Sequence, residues 1–567
     1  MNKISKILVF VLISSLMISS SIGQEHQSHT HSRSNNLKNF AKDKEESRRL
    51  NTQQEISQLQ SWLDNQVSNK SSMVGVSAFI VAGSSPIETV TSGQAVLASA
   101  WDATDKKGIE TTAEDVTADT VSMWASTSKL ITWTALSMLL DAGKFDLDDA
   151  VDDVLSFEVR NPSYPSVPVT YRHVYAHTTG IIDIWSGYLY DNQCPSDPMS
   201  PYPTSLEDSV KSLVSKSSKW KSWRPGSRQL YSNYGTALAA LLVEAHSGMS
   251  FPEFLKTYIF DPLQMTSTQF SRPSTGSVAE LYTLYQTNGY KYQANYGGYC
   301  YPDYPSGQLW SSATDLAKFA IAMLNRGSLG RTTSDGADCL YSEETGQLVY
   351  QKISPSTGDG DSALGWFVGS PYYSGGAGHD GSETGVSADF FIHLNKNVAI
   401  GYWANGELTN GQYVLLYDRL LETAEAIGSI DMDYNSNNPK ECTTTFSAGE
   451  SPTPPSPTTP APTPPSSTCT DSPLRLKIEK WNGDRITRDC RWVKNRISRC
   501  NLSGVASACP LTCGTCSNCE DTALRFKVVK PDGRKKFQNC AWVGNNSSNR
   551  CSFDGVEETC RVTCGGC

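Results

Sequence analysis

The sequence predicts an α/β protein whose large domain is followed by two small disulfide-rich modules. Three features carry this expectation. Helix-like and strand-like stretches alternate over residues 53–446, a run of nearly pure Pro, Ser and Thr fills 451–468, and a six-cysteine pattern then occurs twice. At 567 residues the chain exceeds one ordinary core. With 38% hydrophobic and 19% charged residues it has a globular composition. The formal net charge of −10 is uneven: the last 99 residues carry 17 Lys and Arg against 10 Asp and Glu, so the body is acidic and the tail mildly basic. No basic stripe of the kind that binds nucleic acid is present.

Taken in order, residues 1–23 read as a signal peptide. Lys3 and Lys6 precede an apolar and hydroxylated run, and Ser21-Ile22-Gly23 offers the small residues a signal peptidase requires. The run is shorter than the ~20 apolar residues a bilayer crossing needs, so no membrane span is expected and the protein is read as secreted. Sixteen cysteines, an even number, suit that oxidising destination. Residues 24–52 are polar and form a flexible lead-in, and its histidines His26, His29 and His31 read as solvated rather than metal-binding. The large domain is placed at 53–450 and an extended spacer at 451–468.

The modules are placed at 469–516 and 519–567. Cys469, Cys490, Cys500, Cys509, Cys513 and Cys516 are echoed by Cys519, Cys540, Cys551, Cys560, Cys564 and Cys567, with spacings of 21, 10, 9, 4, 3 and 21, 11, 9, 4, 3. Units this small bury too little to fold unaided, which favours three disulfides each over zinc. Their Cys-x3-Cys-x2-Cys endings resemble small toxin-like ShK modules. Cys194, Cys300, Cys339 and Cys442 remain for the large domain, with three pairings open. Asn69, Asn501 and Asn545 open glycosylation sequons.

Three short elements carry chemistry. In the first, Ser126 opens an apolar stretch that runs at helical spacing to Ala142-Gly143, and Lys129 lies one turn on. A serine hydroxyl needs an adjacent base, and a lysine deprived of water supplies one. The second match to Ser-x-x-Lys, at Ser218 and Lys221, sits in a basic loop with no such helix. The second element is Tyr231-Ser232-Asn233, ahead of another apolar helix closed by Gly248. Its phenol is expected to have its pKa lowered by a neighbouring lysine and to shuttle protons, while the Asn amide holds a substrate carbonyl or the ammonium. The third is Gly378-His379-Asp380-Gly381, whose glycines let backbone approach a ligand and whose His379, as a cation, attracts a carboxylate. An exposed histidine in a glycine-rich turn is the plain alternative. No Gly-x-Ser-x-Gly elbow or metallohydrolase histidine cluster accompanies them.

In this order the three elements resemble the signature of serine β-lactamases and penicillin-binding proteins. The segments Gly143 to Val151, Thr170 to Gly180, Phe260 to Thr266 and Ser311 to Ala317 extend the similarity, which is greatest to the class C β-lactamase, D-alanyl-D-alanine carboxypeptidase and esterase branch. The resemblance implies an antiparallel sheet flanked by helices, a helical subdomain, and a site between them without metal or organic cofactor. It implies Ser126 as acylated nucleophile, Lys129 as its base or proton relay, and Tyr231 as proton donor to the leaving group. Asn233, His379 and Gly381 would contact substrate, and the backbone N–H groups of Ser126 and Ser382 would form the oxyanion hole. His-Asp-Gly stands where the family has Lys-Thr-Gly, which weakens the antibiotic-hydrolysing reading. Carboxypeptidase, aminopeptidase, amidase and carboxylesterase activities remain, on a small-molecule, peptide or ester substrate. His177 is read as structural. Two other roles compete: a catalytically retired binding protein, and a matrix-adhesion protein whose basic modules hold polysaccharide.

Overall fold

The computed structural model describes residues 46–429 except 70–71, 84–85, 103–105, 185, 191–192, 288–289, 295–297, 330–338, 354–360 and 370–374, and beyond them 476–479, 485–488, 505–509, 525–529 and 535–538. The expected signal peptide, the expected lead-in up to residue 45, the Pro-rich segment and most of the cysteine-rich repeats lie outside the described residues. Within the modules, antiparallel hairpins Leu476–Glu479/Arg485–Arg488 and Arg525–Val529/Lys535–Gln538 occupy matching places in the two repeats.

Helix α1 (46–69) opens the large domain, starting inside the stretch expected as lead-in. An eight-stranded sheet follows. Its strands are β1 (Gly75–Ala82), β2 (Glu88–Val96), β3 (Glu114–Asp115), β4 (Asp361–Ser362), β5 (Phe367–Val368), β6 (Ala377–Glu383), β7 (Val386–His393) and β8 (Val398–Ala404). The order is β4-β5-β6-β7-β8-β1-β2-β3, and every pairing is antiparallel. The first long strand therefore lies against the last, with Val76 opposite Ala404 and Ala82 opposite Val398.

All residues of β1, β7 and β8 are buried because helices cover both faces. The period-two geometry of a strand sends Val76, Ala78 and Ile80 to one side and Phe79 and Val81 to the other. The first side packs on Leu59 and Leu63 of α1, and on Leu416, Leu420, Ala424 and Ile427 of the C-terminal helix Asn410–Ser429. The second side joins the main core, where Phe79 meets Phe390 at 5.7 Å and Phe390 meets Phe319 of helix Ala313–Leu324 at 5.6 Å.

Apart from Ala313–Leu324, which packs on the sheet, helices inserted between β3 and β4 pack on one another as the expected helical subdomain. Those that matter for the site are α2 (Ser128–Asp141), α3 (Tyr171–Tyr175), α4 (Leu206–Val214) and α5 (Asn233–Ser247). In α2 every residue from Ser128 to Leu140 is buried, the mark of a helix enclosed on all sides. It ends where Gly143 takes φ 68°. In α5 the Ser232 hydroxyl caps the start by accepting from Gly235 N, and Gly248 at φ 72° closes the end. Among the described residues no helix is long and apolar enough to cross a membrane.

A disulfide joins Cys194 to Cys300, beside the short antiparallel pairing of Leu189–Tyr190 with Tyr299–Cys300. One of the three pairings is thereby formed; Cys442 lies outside the described residues. The bridge closes a loop of 106 positions. Replacing both cysteines with serine is expected to cost on the order of 3 kcal/mol, read as a lower urea midpoint. An unchanged midpoint would show that the bridge adds nothing to the fold.

Candidate active site

The chain turns sharply before α2. Ala125 takes φ 45°, a left-handed conformation that costs a residue with a Cβ, and a 3-10 turn over Ala125–Thr127 leads into the helix. Side-chain and backbone bonds hold this turn: Thr127 Oγ1 donates to Trp124 O (2.6 Å), Ser128 Oγ to Ala125 O (2.5 Å), and Trp124 N to Leu309 O (2.8 Å). From residue 120 to 140 every residue is buried except Ser126, which is partly exposed. The turn thus presents one hydroxyl from an otherwise closed stretch.

Lys129 Nζ lies 3.1 Å from Ser126 Oγ, 2.7 Å from Asn233 Oδ1 and 2.6 Å from the carbonyl oxygen of Ser306. Desolvation lowers its pKa to about 8, against the opposing charges of Asp183, Asp303, Glu383 and Asp380. Counting hydrogens shows what this geometry can do. A neutral amine has two N–H bonds and one lone pair. Asn233 Oδ1 and the Ser306 carbonyl are acceptors only, so they take the two hydrogens. The lone pair is then left for the Ser126 hydroxyl proton.

The Tyr231 hydroxyl donates to Ser126 Oγ at 2.9 Å, and Lys129 Nζ stands 4.7 Å from the centre of its ring. Here the structure corrects the sequence expectation. The phenol was expected to be lowered by the lysine, yet burial dominates and raises it well above its usual value. Tyr231 is a protonated donor in the resting site. Ser232 is extended and Asn233 is the first residue of α5, so the Tyr231 and Asn233 side chains flank Lys129 from a helix start rather than from a strand.

The third element is a strand and not a turn. β6 carries His379, Gly381 and Glu383 on one face and Asp380 and Ser382, both exposed, on the other. Gly381 faces the Ser126 turn, and a Cβ there would lie 2.8 Å from Trp124 O and 3.0 Å from Ser126 N. The Tyr413 hydroxyl donates to the Gly381 carbonyl from behind. His379 is 2% exposed, its ring 4.6 Å from Phe367 and 5.8 Å from Tyr231. Burial pushes its pKa down to about 3, with Lys129 adding to the effect. The cation expected at this position is a neutral imidazole, whose Nδ1–H donates to Asp380 O (2.5 Å).

Sequence reasoning missed the acidic surroundings. Asp183 accepts from the Ser232 hydroxyl (2.9 Å), Asn233 N (2.8 Å) and Tyr234 N (3.1 Å), capping α5 beneath the site. Asp303 and Glu383 are both raised to about 7, chiefly by desolvation. His177 follows α3 at φ 52°, accepts from Ser232 N through Nδ1 (3.3 Å) and packs edge-on to Trp133 at 5.5 Å, the structural role expected of it. Among the described residues no group of three or more His, Cys, Asp or Glu is arranged to hold a metal ion.

Ser-x-x-Lys, Tyr-x-Asn and His-x-Gly thus meet at one cleft, where β6 passes the start of α2. A profile of the family described as Beta-lactamase matches residues 86–425, more than half the chain. The chain belongs to the β-lactamase family. It is 24% identical over 294 residues to penicillin-binding protein 4* of Bacillus subtilis (strain 168), covering 50% of this chain and 60% of that protein. It is 23% identical over 299 residues to protein flp of Staphylococcus aureus (strain MW2), covering 51% and 53%. The chain therefore spans between about half and three fifths of the length of these curated relatives. Its fold is similar to that of the octameric penicillin-binding protein homologue from Pyrococcus abyssi, with a TM-score of 0.50, 20% identity, and coverage of 65% and 77%.

Gly381 has no room for a side chain. Gly381→Ala is expected to push the Ser126 turn away from β6 and slow fluorophosphonate labelling of Ser126 by about 100-fold. Labelling at the wild-type rate would mean that this close approach does not govern the hydroxyl.

Proposed function

We propose that this protein is a secreted serine hydrolase that forms an acyl-enzyme on Ser126 and cleaves an amide or an ester. The observation that carries the reading is the placement of one partly exposed hydroxyl between a buried lysine and a protonated phenol. Lys129, in its neutral form, takes the Ser126 proton as Oγ bonds to the substrate carbonyl carbon. Tyr231 gives its proton to the leaving group as the scissile bond breaks; water then attacks the acyl carbon and gives a proton to the Tyr231 phenolate, while Lys129 returns its proton to Ser126 Oγ as the acyl group departs. Asn233 holds Lys129 and meets the substrate amide. The N–H groups of Ser126 and Ser382 receive the oxyanion, each donor worth about 3–4 kcal/mol in the transition state.

Gly381 keeps β6 close enough for that pair, and His379 shapes the adjoining wall as a neutral ring. A neutral His379 gives a substrate carboxylate no counter-charge, which favours amidase, aminopeptidase or esterase chemistry over antibiotic hydrolysis. Secretion rests on residues 1–23 and is in keeping with the Cys194–Cys300 bridge. The affinity for the class C branch, the domain limits at 53–450 and the ShK-like nature of 469–516 and 519–567 belong to the same proposal.

Fluorophosphonate treatment of the secreted chain is expected to give one adduct on Ser126, absent from Ser126→Ala, and mass spectrometry of the peptides reads it. Tyr231→Phe should lower turnover by about 100-fold or more. The neutral amine of Lys129 is populated above its pKa, so the acylation rate should rise with pH through about 8 and then level. A rate that falls across that range would rule out Lys129 as the base.

A further inference from the structure

The cleft has a feature that the acylation chemistry does not use. Glu383 follows Gly381 by two residues on β6, so its side chain leaves the strand on the face that meets Ser126. Asp303 is 7% exposed and begins the segment whose Ser306 carbonyl holds Lys129. Close to these carboxylates stands a cluster of tyrosine rings. The Tyr188 ring lies 5.0 Å from that of Tyr301 and 5.9 Å from that of Tyr299. Tyr188 is partly exposed, and the charges that act on it most are those of Glu383 and Asp303.

A second observation is independent of the carboxylates. Tyr301 is 1% exposed, and its hydroxyl is without a hydrogen-bond partner. A Cβ on Gly307 would lie 2.4 Å from that hydroxyl and 3.6 Å from the Ala125 carbonyl carbon, and Glu383 is the charge that acts on the phenol most. A polar group this deeply buried is rarely left unpaired, and one that stands at the nucleophile's turn is placed to meet a ligand.

We propose that Glu383 and Asp303, walled by Tyr188 and Tyr301, form a subsite for an ammonium group, so that the substrates are amides or esters with a free amine near the scissile carbonyl. This rests on the reading of Ser126 as nucleophile. Carboxylates and tyrosine faces together are the surroundings that attract an organic cation. The cation that already acts on both carboxylates is Lys129, itself driven toward neutrality. Each carboxylate is therefore held out of water with its charge incompletely balanced, and an incoming ammonium supplies the balance. A substrate carboxylate in the same place would meet like charge.

The test uses the full secreted chain at pH 7, where an α-amine is largely protonated. Both enantiomers of phenylalanine 4-nitroanilide are compared with their N-acetyl and N-succinyl derivatives. The free amine is expected to exceed the acetylated compound at least tenfold in kcat/KM, and the succinylated compound by more. Glu383→Gln should shrink the ratio of free to acetylated substrate, chiefly through KM. Equal or better turnover of the acetylated compounds, or a Glu383→Gln loss shared evenly by all three, overturns the subsite. Fluorophosphonate labelling separates the two claims: a Ser126 adduct without amine preference removes the subsite alone, whereas hydrolysis that survives Ser126→Ala removes the nucleophile assignment and the subsite with it.

Discussion

The site depends on keeping one amine dry. Lys129 is enclosed by α2, α5 and the Tyr304–Ser306 turn, and burial there weakens its ammonium form. Its fixed acceptors come from far along the chain, Asn233 at 104 positions and Ser306 at 177. The helix pair, the Asp183 cap on α5 and the Cys194–Cys300 bridge beside the 299–306 segment all converge on holding those two oxygens still. Were either acceptor to drift, a hydrogen of the amine would turn toward Ser126 and the lone pair away from it.

The same desolvation acts on several of the ionisable groups around that amine, in the direction the charge of each dictates. It draws Lys129 down to about 8 and pushes Asp303 and Glu383 up to about 7. It leaves His379 and His177 neutral and Tyr231 protonated. A base and two acids are thus poised within a narrow range near neutrality, the condition in which small changes in a bound molecule's charge alter protonation in the cleft.

The parts of the site that were legible in the sequence are those with a residue-type signature. Ser126 and Lys129 open a continuous apolar helix, and Tyr231 and Asn233 precede a second one. What stayed hidden is set by three-dimensional surroundings. Glycines flanking His379 suggested a turn, whereas β6 is a strand whose Gly381 allows close passage past Ser126; strand pairing with β7 decides this, and the tripeptide does not encode it. Tyr231 was judged by its neighbour Lys129, while burial, invisible in three residues, sets its direction. The Ser306 contribution is a backbone carbonyl and has no side-chain signal at all. Asp183 alone offered a hint, since it follows closely on the Thr170 to Gly180 segment that extends the similarity to the family.

The adjacency of β1 and β8 has a consequence for how the chain matures. The centre of the sheet needs strands more than 300 residues apart in sequence to pair, Val76 with Ala404. A ribosome must therefore have delivered nearly the whole large domain before its middle can zip shut, and until then β1, apolar on both faces, has no lasting cover.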